Sequence, residues 1–440
     1  MPTRRTVLAG AAALATAAMN AGATGAGAAA RPFIRREGMR FMLGGEPYRF
    51  AGANTWYAAY LGADAPVGDR DRLRRELDAL AALGVTNLRI LASSELSPLR
   101  NSLQPAFRDR TPRYNEALLR GLDHALAEMD RRDMRAVLYL TNFWEWSGGM
   151  MTYLYWTNGG RYLDMNDPAH PWPAFPDFNA GFYRSREAVA LYHDYVRAVV
   201  GRTNSVTGRA YADDPAIMSW QLANEPRPGG AEAVARGAMP DFHAWVGATA
   251  RLIKSLDANH LVSTGSEGLK GCVEDAGCVL DQHRRPGIDY LTAHIWPLNW
   301  GWVDSKDLTG TWAAGEEKVR EYLTQHRDLA LRLGKPLVVE EFGFPRDGGL
   351  YDPGTPTRWK DRFYGLIYDA VASGGPVAGS NFWGWGGEGR SRDPHHRFRP
   401  GSASYVADPP HEPQGWYSVF DTDASTVELI RVHAAALRRA

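Results

Sequence analysis

Cysteine is nearly absent: Cys272 and Cys278 are the only two in 440 residues. They are separated by five residues in a loop-like stretch, with no His or Cys partners at ligand spacing, which excludes a Cys-based metal centre and a fold stapled together by disulfides. In an exported chain the pair is expected to close one small local disulfide. Neither sign of charge is in surplus, with 50 basic and 50 acidic residues. Nucleic acids and anionic membranes need a basic excess on some face, so neither is an expected partner. Beyond residue 30 no stretch reaches 18 consecutive apolar residues, so no membrane-spanning helix is expected. P-loop, H-E-x-x-H and G-x-S-x-G sequences are missing too, which argues against NTPase, zincin and α/β-hydrolase chemistry. One literal G-x-G-x-x-G occurs at Gly384, Gly386 and Gly389. A charged, Pro-containing loop (390–401) follows it, not the helix N-terminus that would hold a pyrophosphate.

What is plentiful is aromatic: 15 Trp and 19 Tyr, many in short stretches such as Trp144, Trp146 and Trp156, or Trp296, Trp300 and Trp302. Any one of these serves equally well as core, but flat amphipathic rings also suit sugar faces. With 44% hydrophobic and 23% charged residues, the composition supports a large globular core. The first 30 residues carry Arg4-Arg5, an Ala/Leu/Val run and Ala28-Ala29-Ala30 before Arg31-Pro32. That order resembles a twin-arginine export signal, so residues 1–30 are expected to be a leader and the protein to be periplasmic or secreted. Residues 31–440 are expected to form one catalytic domain.

A short alternating stretch from Phe33 to Phe50 reads as a hairpin. Strand and helix signals then alternate. Strands are expected at Phe50–Asn54, Thr86–Leu91, Ala136–Leu140, Ile217–Ala223, Leu261–Thr264, Tyr290–His294, Leu337–Glu341 and Val377–Phe382. Helices are expected at Asp69–Leu83, Tyr114–Arg132, Arg184–Thr203, Asp241–Leu256, Gly315–Leu333, Arg358–Ser373 and near Ser425–Arg438. Strands alternating with helices imply a parallel sheet, and eight such units imply a closed (β/α)8 barrel with long insertions in its βα loops.

Catalytic residues of such barrels sit at the C-terminal strand ends. Polar groups accumulate there: Asn54, Arg89, Asn142, Asn224-Glu225, His294, Glu340-Glu341 and Trp383. A carboxylate placed where Leu222-Ala223 or Val338-Val339 leaves the apolar wall is costly to bury without a reason. Two such sites across a barrel mouth suit glycosidic hydrolysis, which needs one carboxylic acid and one carboxylate. A structural ion pair would explain either glutamate alone.

Trp220-Gln221-Leu222-Ala223-Asn224-Glu225-Pro226-Arg227 resembles the strand-four signature of glycoside hydrolase family 5, and Lys335-Pro336-Leu337-Val338-Val339-Glu340-Glu341-Phe342-Gly343 its strand-seven signature. In the latter the nucleophile precedes an aromatic residue and Gly, which selects Glu341 over Glu340. Ala53-Asn54-Thr55-Trp56-Tyr57, the stretch 87–95, Asn142-Phe143-Trp144-Glu145-Trp146, His294-Ile295-Trp296-Pro297 and Asn381-Phe382-Trp383-Gly384 are similar to the bacterial β-mannanase branch. One departure is Trp296, where many members carry a Tyr that hydrogen-bonds the nucleophile.

The resemblance implies a retaining hydrolase of β-1,4-mannans, endo-acting, with an exo-β-mannosidase, a β-1,4-glucanase or a non-catalytic glycan-binding barrel as alternatives. Glu225 would be the acid/base and Glu341 the nucleophile. Arg89 would keep Glu341 ionised, and the charge on Glu341 would raise Glu225 and keep it protonated. Asn224 would bond the sugar 2-hydroxyl, Asn142 and His294 would line the same subsite, and Trp383 would form its floor. Trp56 and Trp296 would also contact substrate. No metal or organic cofactor is implied, the partner is a β-mannan or manno-oligosaccharide, and a monomer is expected.

Overall fold

The computed structural model describes residues 31–99 and 101–438; the expected leader lies outside the described residues. Eight parallel strands form the centre: β1 (Phe50–Asn54), β2 (Asn87–Leu91), β3 (Arg135–Tyr139), β4 (Ile217–Gln221), β5 (Leu261–Ser263), β6 (Leu291–Ile295), β7 (Leu337–Phe342) and β8 (Val377–Phe382). Ladders run β5-β4-β3-β2-β1-β8-β7-β6. The circle closes through a parallel bridge between Ser263 and Tyr290 and a bond from Asp289 N to Val262 O of 2.8 Å. The fold is a (β/α)8 barrel. Every residue in these strands is buried, as expected where the inner face packs on itself and the outer face is roofed by helices.

The ring of helices is α1 (Arg70–Leu83), α2 (Glu116–Asp130), α3 (Arg186–Val200), α4 (Glu232–Leu256), α5 (Ala276–Arg284), α6 (Leu308–Leu333), α7 (Arg358–Ala372) and α8 (Ala424–Leu437). Local chemistry sets many of their ends. Asp69, Asn115, Ser185, Asp275 and Asp307 each accept a backbone N–H in the first turn, and Gly84 and Gly334 end α1 and α6 in the left-handed conformation. Two helices start earlier than their sequences suggest. α4 runs through Pro240, where a boundary is the ordinary expectation, and α6 is started by the Asp307 cap despite the weak helix former Gly310.

The N-terminal segment forms a three-stranded antiparallel sheet, Ile34–Glu37, Arg40–Leu43 and Glu46–Tyr48. Ile34 and Phe41 from it pack with Phe50, Val137, Met218, Leu261, Val338 and Ala378 of the strands. This plug fills the end of the barrel where the strands begin, leaving the opposite mouth for a site.

The cysteine expectation is corrected. Cys272 and Cys278 are buried free thiols, with no disulfide between them. Nor is the stretch a loop: Lys270–Cys272 is a 3-10 turn, and the Asp275 cap on Cys278 N starts α5. The two sulfurs are thus fixed by helical backbone inside the core, where Gln282 Nε2 donates to Cys272 Sγ at 3.1 Å.

Candidate active site

At the C-terminal mouth of the barrel a cavity of about 690 Å³ is lined by Asn224, Glu225 and Glu341, by Trp144, Trp172, Trp296, Trp300 and Trp383, and by charged groups including Arg227, Glu267 and Glu412. Glu225 is the second residue past Leu222-Ala223, where β4 gives way to loop. Its φ of +50° is a conformation that non-glycine residues rarely adopt. The position is fixed by its own N–H, which donates to Gly265 O at 2.9 Å. Gly265 has to be glycine, because a Cβ there would lie 1.9 Å from Ala223 O. β7 delivers the partner. A register shift between Val339 and Glu341 turns both glutamates inward: Glu341 reaches the cavity, while Glu340 lies deeper and accepts from Gln221 Nε2 at 2.8 Å on both oxygens. The glycine of the strand-seven motif also has a reason: a Cβ at Gly343 would meet Trp296 at 2.6 Å.

One oxygen of Glu225, one of Glu341 and a ring nitrogen of His294 all lie within 4.8 Å of one another. His294 Nδ1 is 2.6 Å from Glu225 Oε1 and 3.2 Å from Glu341 Oε2. Arg89, fully buried, donates to Glu341 Oε1, to Gln221 Oε1 at 2.8 Å, to Asn224 Oδ1 at 2.7 Å and to Asn54 Oδ1 at 3.2 Å. Among the described residues this trio is also where carboxylate and imidazole donors converge as a metal would need; Arg89 already supplies a fixed positive charge there.

The electrostatics differ from the sequence expectation in one respect. Burial alone would raise Glu225, but the hydrogen bond and charge of His294, followed by Arg227 and the Trp144 indole, outweigh it and hold the carboxyl below its ordinary value. Burial works against a charge on His294, yet Glu341, Glu225 and Glu340 hold the ring well above its ordinary value. The expectation that Glu341 raises Glu225 omitted the imidazole that stands between them.

Of the residues singled out in the sequence, Glu225, Glu341, Asn224, Trp296 and Trp383 line the cavity. Arg89 and His294 stand directly behind them. Asn142 is corrected: it is fully buried and accepts from Asn224 Nδ2 at 3.0 Å, so it orients Asn224 without facing the cavity. Trp56 is corrected as well. It is 1% exposed, donates to Ala407 O at 2.7 Å and packs edge-on against Trp146 and Tyr405, which makes it a support for the loop after β8. Trp296 stands edge-on to Trp383 and to Tyr417.

Trp144 was singled out in the sequence only as one of several aromatics suited to sugar faces, and other residues of the site escaped it altogether. Trp144 donates its indole N–H to Glu225 Oε2. Arg227 and Glu267 form a buried two-pronged pair, 2.5 and 2.6 Å, and the guanidinium stacks 5.0 Å from the Trp144 ring. His411 and Glu412 enter from the irregular segment after β8. Only the Asn-Glu-Pro-Arg run pointed to Arg227, and nothing periodic marks 405–417.

Residues 31–440 match the family described as GH family 5 beta-mannosidase-like. The glycoside hydrolase family 5 mannosidase from Rhizomucor miehei superposes with a TM-score of 0.83 at 36% identity, covering 93% of this chain and 98% of that one; a glutamate-to-alanine mutant of that enzyme is known in complex with mannosyl-fructose. Mannan endo-1,4-beta-mannosidase 7 of Arabidopsis thaliana is 30% identical over 80% of this chain and 77% of its own length. The endo-1,4-beta-mannanase of Rhizomucor miehei shares the fold, with a TM-score of 0.65 at 22% identity and coverage of 93% and 100%. The chain belongs to glycoside hydrolase family 5, in its β-mannosidase-like group.

Proposed function

We propose that this protein hydrolyses β-mannosides with retention of configuration, Glu341 acting as nucleophile and Glu225 as acid/base. The carrying observation is that an oxygen of each carboxyl group lies within 4.8 Å of one of the other. Retaining pairs stand about 5–5.5 Å apart, whereas inverting pairs are spread to roughly 6.5–9.5 Å to admit a water. Glu341, gripped by Arg89, attacks the anomeric carbon. Glu225 gives the leaving oxygen the proton that it shares with His294 Nδ1, and on the return step removes one from water. Asn224, held by Arg89 and Asn142, meets the 2-hydroxyl.

For the mode of attack we favour removal of mannose from chain ends. Pro409, His411 and Glu412 of the segment following β8 form one wall of the cavity, and the relative with the mannosyl-fructose complex is a mannosidase. The second reading, endo action, is favoured by the Arabidopsis relative's name. Early products from mannohexaose, together with galactomannan viscosity, discriminate the two. Mannose as the sole early product with viscosity nearly unchanged is the expected outcome; mixed short oligosaccharides and an early viscosity loss would replace it with the endo reading. The export leader, residues 1–30, and a monomeric state are also proposals; sequencing the N-terminus of exported protein tests the first and light scattering the second.

A further inference from the structure

A second cavity, of about 290 Å³, lies between the loops that follow β2 and β3. It is lined by Pro98, Leu99, Asn101, Glu145, Tyr162, Asp164 and Asn166. Glu145 is completely buried in a 3-10 turn, yet neither of its carboxylate oxygens accepts a hydrogen bond from another residue. A buried carboxylate with no donors is normally avoided, because its desolvation is uncompensated. Among the described residues the charge acting on it is Asp164, of the same sign. Asp164 is anchored for its own part: its Oδ1 accepts from Asn166 N at 2.9 Å and its carbonyl from Asp167 N at 3.1 Å.

We propose that this cavity is a calcium site, with Glu145 and Asp164 as its charged ligands and Asn101 and Asn166 as neutral ones. The donor set carries the choice of ion. All the polar groups offered are oxygens or amides, with no His or Cys among them, which suits a hard cation. The residues come from two loops with irregular backbone, and calcium accepts such variable geometry where magnesium demands a near-ideal octahedron. The ion would answer the uncompensated charge of Glu145 and tie the 162–166 strap to the loop after β2. The strap also carries Met165, which lines the substrate cavity, and Trp144 and Trp146 flank Glu145; the site therefore braces that wall without touching the reacting groups.

The test is thermal unfolding of the full chain, stripped with EDTA and then titrated with CaCl2, alongside calorimetric titration of the same protein. Calcium at a hundredfold excess over its dissociation constant is expected to raise Tm by about 3 °C, with one site in calorimetry. E145Q removes the buried charge and is expected to lose the response. D164N, at a partly exposed position, is expected to lose it too and covers the case in which E145Q does not fold. E341Q retains the response, which separates this site from the Glu225, His294 and Glu341 cluster. An unchanged wild-type Tm, or a calcium response that survives in D164N, overturns the proposal.

Discussion

Arg89→Met is the sharpest perturbation of the site that leaves both proposed catalytic glutamates in place. Arg89 is wholly buried, with Glu341 bonded to it, Glu340 3.5 Å away and three amide oxygens on its remaining N–H groups. Methionine fills the volume but leaves two buried carboxyls without their fixed cation. Removing one partner of a buried charge pair costs about 3–5 kcal/mol. With an unfolding entropy of about 2.1 cal/mol/K per residue, a unit of roughly 400 residues has about 0.85 kcal/mol/K, so the loss corresponds to about 5 °C in Tm. Misplacement of Glu341 is expected to lower kcat on an aryl β-mannoside by roughly 10²-fold or more. The two effects separate in a second variant: R89M/E340Q removes the deeper of the orphaned charges and should regain part of the Tm without regaining activity. If R89M keeps both its Tm and its kcat, the charge network described here is wrong; if the double variant regains activity, Arg89 does not position Glu341.

Other outcomes follow from the same geometry. Glu225→Gln should lose activity on mannans while sparing glycosylation by aryl mannosides with a good leaving group, and Glu341→Gln should lose both; substantial activity in E341Q but not in Glu340→Gln would reverse the nucleophile assignment. Proton NMR of the first-formed product should show the β anomer, and initial α anomer would sink the retaining mechanism. His294 is raised, so the stability from its charged form is complete below about pH 6.5 and is lost as pH rises through its folded value. His294→Asn should flatten that alkaline decline in Tm, and an unchanged profile would place the proton elsewhere. Gly265→Ala puts a Cβ 1.9 Å from Ala223 O, so a Tm within 1 °C of wild type would show that the Glu225 loop is not held as described.

The barrel was readable because each strand is a short apolar run and each helix a longer amphipathic one, often with a capping residue in the sequence. Val377–Phe382 and Phe50–Asn54 coincide with the observed strands. The strand-end residues were readable because Leu222-Ala223 and Val338-Val339 stop where Asn224-Glu225 and Glu340-Glu341 begin, the family resemblance then selecting Glu341. What stayed hidden is what depends on contacts across the mouth. Nothing local distinguishes Trp56, packed under the loop after β8, from Trp383, which faces the cavity. His411 and Glu412 lie in a stretch without periodicity, about 30 residues past the strand that brings them to the site. The thiols were misread because Asp275, a helix cap, looks like any other loop aspartate.

The charge balance of the mouth decides what Glu225 is able to do. Glu225, Glu267, Glu340, Glu341 and Glu412 face Arg89, Arg227 and His294 in or against one cavity wall. Carboxyls outnumber cations around this cavity, and uncompensated charge in a poorly solvated wall is relieved by protonation. The two groups displaced upward are those at the flanks. Burial, with Glu225 adding to it, pushes Glu267 up to about 7, and burial with Asp408, Glu341 and Glu225 holds Glu412 well above the carboxylate range. The centre keeps Glu341 against Arg89 and Glu225 2.6 Å from His294 Nδ1, close enough to share a proton. In the proposed mechanism a glycosidic oxygen entering beside Glu225 competes with His294 for that carboxyl, and moving the shared proton onto Glu225 would make it an acid. In the same proposed mechanism the pair is the proton store of the first step, and the flanking acids support it by taking up the remaining charge.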